Sequence, residues 1–246
     1  MTNKKIKKIQ SLRYHKYRKK YGQFVLEGKR LIQCAIESKV NILKILYTDT
    51  FADSNKTLFR STNKQLFENI NEKNFQKISN TKSPSGIAAI CELPKELNPN
   101  MKMNRWIYLD KISDPGNMGS LIRSASWFGL NNIALSTGCV DPYNPKVLRS
   151  GMGAHFNIDI HNNIPITQFC KTHTIISSEK RGKDLWEFKF PKKCVIVLGN
   201  EAHGHTIENQ KYFDENVTIK KLGSGESLNV SVAGAVLFHL LTVNEL

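Results

Sequence analysis

Among the 246 residues no apolar run approaches the ~20 that a helix needs to cross a bilayer, which argues against a membrane span. The N-terminal stretch MTNKKIKKIQSLRYHKYRKKYG has no apolar core, so it does not read as a secretory signal. It is basic and poor in acid, as organelle transit peptides are, but it runs straight into a helix-like segment. Five cysteines (Cys34, Cys91, Cys139, Cys170, Cys194) are an odd number and include no CxxC pair. That excludes a disulfide framework and a cysteine zinc site, and reduced thiols in a cytoplasmic protein are expected. The seven histidines form no HExxH pattern, so no metal is expected. Acid is scarce too, with 21 Asp and Glu against 36 Lys and Arg.

The resulting formal charge of +15 points to a polyanionic partner. It is concentrated: Lys4, Lys5, Lys7, Lys8, Arg13, Lys16, Arg18, Lys19, Lys20, Lys29 and Arg30 face one acid, Glu27, in the first thirty residues. Tyr14, Tyr17 and Tyr21 lie among these cations and are able to stack on bases. This favours nucleic acid over a merely solubilising tail. A membrane-surface helix fits less well, because Ile6, Ile9 and Leu12 make only a thin apolar face.

Two α/β halves are visible. In the first, residues 24–28 read as a strand and turn, 29–38 as a helix, 40–48 as a strand, 64–71 as a helix and 86–91 as a strand. Residues 94–105 are polar, contain Pro94 and Pro99, and read as a linker between a domain at 1–93 and another at 106–246. In the second half, strands are expected at 106–109, 132–135, 157–160, 174–177, 194–198 and 217–219. Helices are expected at 118–128, 145–151, 166–171 and 228–243. The alternation predicts an α/β fold with a mostly parallel sheet and helices on both faces.

Three segments of the second half hold polar residues where strands end. Asp114-Pro115-Gly116-Asn117 breaks the chain after the apolar strand and opens a helix carrying Arg123. Ligands of open α/β sheets bind at such strand ends, although Asn117 as a helix cap and Arg123 as a solvated charge is an equally simple reading. Gly199 to Gly204, GNEAHG, follows a buried strand. It misses the P-loop pattern because His205 stands where lysine is required. Leu222-Gly223-Ser224-Gly225-Glu226-Ser227-Leu228-Asn229 caps the last apolar helix. Gly151-Met152-Gly153 is too short for a dinucleotide fingerprint.

Taken together and in order, these segments resemble the SpoU (TrmH-type) branch of the SPOUT RNA methyltransferases. The resemblance rests on Asp114-Pro115-Gly116-Asn117-Met118-Gly119 with Arg123-Ser124-Ala125, on Leu198-Gly199-Asn200-Glu201-Ala202-His203-Gly204, and on Gly223 with Glu226-Ser227-Leu228-Asn229-Val230-Ser231. Asn144-Pro145-Lys146-Val147 and Gly151-Met152-Gly153-Ala154 also fit. Phe24-Val25-Leu26-Glu27-Gly28 is similar to the L30e-like substrate-binding domain of many members. The resemblance implies S-adenosylmethionine as methyl donor, a ribose 2′-hydroxyl of RNA as acceptor, a deep trefoil knot, and a homodimer. By the same resemblance Gly199, Ile219 and Leu228 contact the cofactor, while Asn117, Arg123, Glu201, Ser227 and Asn229 form the catalytic set, with Arg123 near the partner's cofactor. The N-terminal domain favours ribosomal RNA (23S) over tRNA. A non-catalytic RNA-binding module of the same fold is the rival. One departure stands out: Lys220-Lys221 replaces the Pro-Met common in the family. Arg123 as general base demands help, because guanidinium stays protonated; stabilising a developing alkoxide or holding a phosphate demands less.

Overall fold

The computed structural model describes residues 1–200 and 203–243, with the side chains of all of these except Arg60 and Ser61. The chain forms two compact units: Met1–Lys95 with Tyr143–Phe156, and Glu96–Pro142 with Asn157–Leu246. The sequence reading divides the chain once, at 94–105; the structure returns Tyr143–Phe156 to the first unit.

The first unit runs α1 (Asn3–Ser11), α2 (His15–Tyr21), β1 (Gln23–Glu27), α3 (Lys29–Glu37), β2 (Ile42–Tyr47), α4 (Asp49–Ser54), α5 (Lys56–Ser61), β3 (Phe67–Asn69), α6 (Glu72–Ile78) and β4 (Ile87–Glu92). Its sheet has the order β1-β4-β2-β3, with β1 and β2 antiparallel to β4 and β3 parallel to β2. Period-two alternation sends side chains to opposite faces. Phe24, Leu26, Ile45, Ile87 and Ala89 pack with Leu31, Ile32 and Ala35 of α3 on one face. Val25, Leu46 and Ala88 pack with Ile6, Ile9 and Leu12 and with Phe75 and Ile78 of α6 on the other. The thin stripe Ile6-Ile9-Leu12 is thus a core face, and the basic segment is a folded helix pair rather than a tail.

Buried Arg18 fixes that pair by donating to the Leu12 and Arg13 carbonyls at 2.8 and 2.9 Å. Lys4, Lys5, Lys7, Lys8, Lys16, Lys19 and Lys20 stay exposed. Tyr17 and Tyr21 stack at 6.2 Å, with the Lys8 ammonium 4.7 Å above Tyr21. Glu27 is turned inward, accepting from the Asn80 amide at 3.0 Å and the Thr81 hydroxyl at 3.0 Å. Burial pushes the Cys91 thiol up to about 12, so it stays an inert core thiol.

The expected helix at 64–71 is a correction. Lys64–Leu66 is a short 3-10 turn and β3 follows. Phe67 joins Phe59 at 4.6 Å on one side of the sheet, whereas Ile70 enters the cluster on the other side. A helical stripe points one way and cannot serve two faces.

The second unit contains β5 (Arg105–Leu109), α7 (Pro115–Trp127) and β6 (Asn132–Leu135). After α8 (Pro145–Gly151), which packs within the first unit, come β7 (Asp159–His161), β8 (Thr174–Asp184), β9 (Cys194–Leu198), α9 (Ile207–Gln210), β10 (Glu215–Thr218) and α10 (Val230–Val243). The six strands order as β10-β8-β9-β5-β6-β7, every neighbouring pair parallel. Trp106, Tyr108, Val195 and Val197 pack on one face with Ile164, Ile166 and Phe169. On the other face α10 crosses so closely that a Cβ on Gly234 would strike Leu121 of α7 and come within 3.0 Å of Leu198. The expected helix at 166–171 is only a 3-10 turn, Ile166–Gln168. The helix expected from 228 starts at Val230, because Asn229 caps it.

Candidate active site

The central strand β5 delivers Asp110 fully buried at its C-terminal end. Lys111 then takes a left-handed conformation (φ 53°), which costs a non-glycine residue about 1 kcal/mol or more. It is held from both sides: its N–H donates to the Ser136 hydroxyl at 2.8 Å, and its carbonyl accepts from the Asn200 amide at 2.8 Å. Asn200 also donates to the Ser113 hydroxyl at 3.3 Å. Asp114 then caps α7, its carboxylate accepting from the Asn117 N–H at 2.8 Å, with Pro115 in the first turn where no amide is needed.

The second loop leaves β9 at Gly199. Asn200 and Gly204 exchange two backbone hydrogen bonds of 2.8 Å, closing a narrow loop. A Cβ on Gly199 would sit 2.6 Å from the Gly204 carbonyl carbon, so only glycine fits there. The loop ends at Thr206, whose N–H and hydroxyl both donate to one oxygen of Asp110, at 2.8 and 3.0 Å. The other Asp110 oxygen has no hydrogen-bond partner among the described residues. One buried carboxylate thus clamps the second loop to the end of β5. Nearby, Cys139 donates to the Leu109 carbonyl at 3.2 Å, and burial holds its thiol above the ordinary range.

The third loop behaves differently. Every residue from Lys220 to Asn229 is exposed. It is tied down at Asn229, whose side-chain oxygen accepts from the Ser231 N–H and hydroxyl at 2.9 and 2.6 Å. The amide of the same side chain donates to Asn117 at 3.0 Å. The Asn117–Asn229 contact therefore joins the first and third segments, as Asp110–Thr206 and Asn200–Lys111 join the first and second.

Of the residues expected in the site, Asn117 and Asn229 meet directly. Gly199 lies half-buried in the second loop and Ile219 half-buried just beyond β10. Leu228 is exposed, offering apolar surface beside the Asn229 cap. Ser227 is exposed and makes no hydrogen bond among the described residues. Arg123 is exposed on α7, and its side chain makes none there either. It lies six residues after Asn117, about 9 Å along the helix and about 240° around it, and so does not face the Asn117–Asn229 pair. Glu201 lies outside the described residues. Asp110, Asn200 and Thr206 are the members whose roles the sequence reading did not assign. The signal for Asp110 was an acid closing an apolar strand. Among the described residues no group of three or more His, Cys, Asp or Glu could hold a metal ion.

Parallel strands with three polar loops tied together at their ends define an open α/β protein with a candidate ligand site at those ends. Comparison with known proteins gives the particular family. The SpoU rRNA Methylase family model matches residues 104–239, and the MRM3-like substrate binding domain model matches residues 3–89. The chain belongs to the SpoU rRNA methylase family. A 23S rRNA (guanosine(2553)-2′-O)-methyltransferase of Bacillus subtilis is 30% identical over 97% of this chain and 96% of its own length. A TrmH-family structure from Porphyromonas gingivalis superposes with a TM-score of 0.87 at 26% identity, covering 99% of both chains. An AdoMet-bound rRNA methyltransferase from Sinorhizobium meliloti superposes with a TM-score of 0.83 at 25% identity, over 100% of this chain and 97% of that one.

Proposed function

We propose that this protein transfers the methyl group of S-adenosylmethionine to a ribose 2′-hydroxyl of ribosomal RNA, 23S RNA in particular, in the cytoplasm. The observation that carries the reading is the joining of all three polar segments at the ends of β5 and β9, through Asn117–Asn229, Asn200–Lys111 and Asp110–Thr206. Strand ends of this kind bind ligands in open parallel sheets. The tight Gly199 loop offers backbone groups at close approach, and Ile219 and Leu228 offer apolar surface, a combination that suits an adenine and a sulfonium-bearing chain. The cofactor, when bound, supplies a methyl group on a cationic sulfur.

In the reaction the 2′-oxygen forms a bond to the methyl carbon while the carbon–sulfur bond breaks, in line. The chain's task is alignment, and the hydroxyl proton passes to solvent water as the new bond forms. Asn117 and Asn229 orient the ribose through the amide groups they already align against each other. Arg123 stabilises the developing alkoxide or holds the neighbouring phosphate, a role that a permanently charged guanidinium performs without losing its proton. Glu201 and Ser227 complete the set. Because Arg123 points away from the Asn117–Asn229 pair, we place it in the partner's site of a homodimer. Exposed Val232 on α10 and Trp127 at the end of α7 supply apolar surface for such contact. We also propose that the segment after β10 threads a trefoil knot, and that the exposed lysines of α1 and α2 bind RNA phosphates.

The test is Arg123→Ala and Arg123→Lys, with cofactor binding measured apart from turnover. Loss of about 10²–10³-fold in methyl transfer, with S-adenosylmethionine affinity retained, is expected. Near-normal transfer by either variant sinks the assignment.

A further inference from the structure

We infer that Trp186, together with Lys220 and Lys221, forms a second RNA-contact rim beside the third loop, where the indole stacks on a base next to the methylated nucleotide. The inference rests on the ribosomal RNA reading above and adds a surface to it.

Strand β8 is unusual in length and register. Asn216 of β10 pairs with Ser177, but the next residue, Val217, pairs with Lys183, so residues 178–182 have no register partner in β10 and form a bulge, with Gly182 close against the Asn216 backbone. The bulge carries exposed Lys180 and Arg181. After it, Thr218 pairs with Asp184, and the Leu185 N–H donates to the Thr218 carbonyl at 3.0 Å. Leu185 is buried and anchors this point. Trp186 stands two residues past Asp184, in the turn that follows β8, while Ile219 stands one residue past Thr218 and is followed by Lys220 and Lys221. The family residues expected here are apolar Pro-Met; this chain has two exposed cations instead.

Trp186 is 68% exposed, an arrangement that leaves one of the largest apolar side chains in water. It does not sit on a loose end. Its N–H donates to the Asp184 carboxylate at 3.0 Å, and the Glu187 N–H donates to the Asp184 carbonyl at 3.2 Å, so a defined turn presents the indole. Of the neighbouring acids, Asp184 closes this turn and Glu215 pairs with Lys183 at 2.6 Å, while Glu187 lies exposed next to the indole and is outnumbered by cations. Lys180, Arg181, Lys220 and Lys221 have no ion pair among the described residues. An exposed aromatic face on a hydrogen-bonded turn, with cations in excess and at the strand ends that hold the candidate site, matches a single-stranded nucleic acid: bases stack on the ring and phosphates meet the cationic groups. Exposed Leu222 follows Lys221, but so many cations around this apolar surface favour a polyanion over an apolar protein partner, whose interface core is depleted in lysine.

The test measures binding of transcribed 23S ribosomal RNA and of S-adenosylmethionine to the full-length protein, with dimerisation monitored by sedimentation. Trp186→Ala is expected to weaken RNA affinity about tenfold, within the range that loss of one stacked base brings. Trp186→Phe should restore most of it, and S-adenosylmethionine affinity should match the wild type. The double variant Lys220→Ala/Lys221→Ala should flatten the slope of log affinity against log salt by about 1.4. Wild-type RNA affinity in Trp186→Ala overturns the inference. So does a change confined to cofactor affinity or to dimerisation, which would make the indole a pocket wall or a subunit contact. RNA affinity is read without turnover, so a wild-type protein that binds RNA but transfers no methyl group would refute the proposed activity and leave this surface standing.

Discussion

The loops at residues 110–117 and 199–206 hold each other from several directions, whereas residues 220–229 are exposed along their whole length. The first pair stores local strain at Lys111 and offsets it with bonds from Ser136 and Asn200. It closes around a carboxylate that no solvent reaches. The third loop has its firm hold at Asn229, through the helix cap and the contact with Asn117. Preorganised groups cost nothing to arrange at the moment of reaction, while an exposed segment leaves room for a large substrate to enter. On the proposed function, the fixed half would serve alignment and the exposed half RNA and cofactor exchange.

That division can be broken at several points. Gly199→Ala should have the largest effect, because the new Cβ would lie 2.6 Å from backbone that is itself doubly bonded, and the loop must open. Cofactor affinity, by calorimetry, should fall at least about tenfold. Asp110→Ala comes next: it strips both Thr206 donors of the one oxygen they share and should cost about 1–3 kcal/mol in denaturant unfolding. Asp110→Asn keeps one acceptor oxygen and should cost less. Asn229→Ala removes a helix cap worth about 1 kcal/mol, and its activity loss should exceed what that destabilisation explains. Leu222→Ser, at a site 89% exposed, should change stability by no more than about 0.5 kcal/mol. A stability loss at Leu222 equal to that at Asp110 would erase the distinction between the loops. Alkylation adds a small check on the packed halves: exposed Cys170 should react first, while Cys91, its thiol pushed up to about 12, should resist until unfolding.

Much of this was legible in the sequence for reasons of solvent contact. Residues 106–109 and 194–198 are continuous apolar runs because both faces of a central parallel strand are covered. Asn229 reads as a cap because capping is local. What escaped reading is what depends on distant partners. The bond from Thr206 to Asp110 spans 96 positions, and nothing in either local sequence announces the other. The polar stretch KRGKD gave no sign of continuing β8, because its bulge and its pairing with β10 are set by the neighbouring strand. Ile6, Ile9 and Leu12 look too sparse for a membrane face, yet they suffice when α6 and a sheet stand opposite. Phe67 and Ile70, three apart, imitate a helix until two cores claim them separately. Arg123 was recognised by its motif, but its orientation away from Asn117 follows only from the helix it stands on.

The central claim is a methylated ribose in ribosomal RNA. The direct measurement is incubation of the purified protein with S-adenosylmethionine and transcribed, unmodified 23S ribosomal RNA, followed by site-by-site mapping of 2′-O-methylation by resistance of the adjacent phosphodiester to alkali. The account predicts one new resistant position, absent when Arg123→Ala replaces the wild type. Methyl incorporation on a base, or no incorporation by a protein that binds the cofactor, would contradict it.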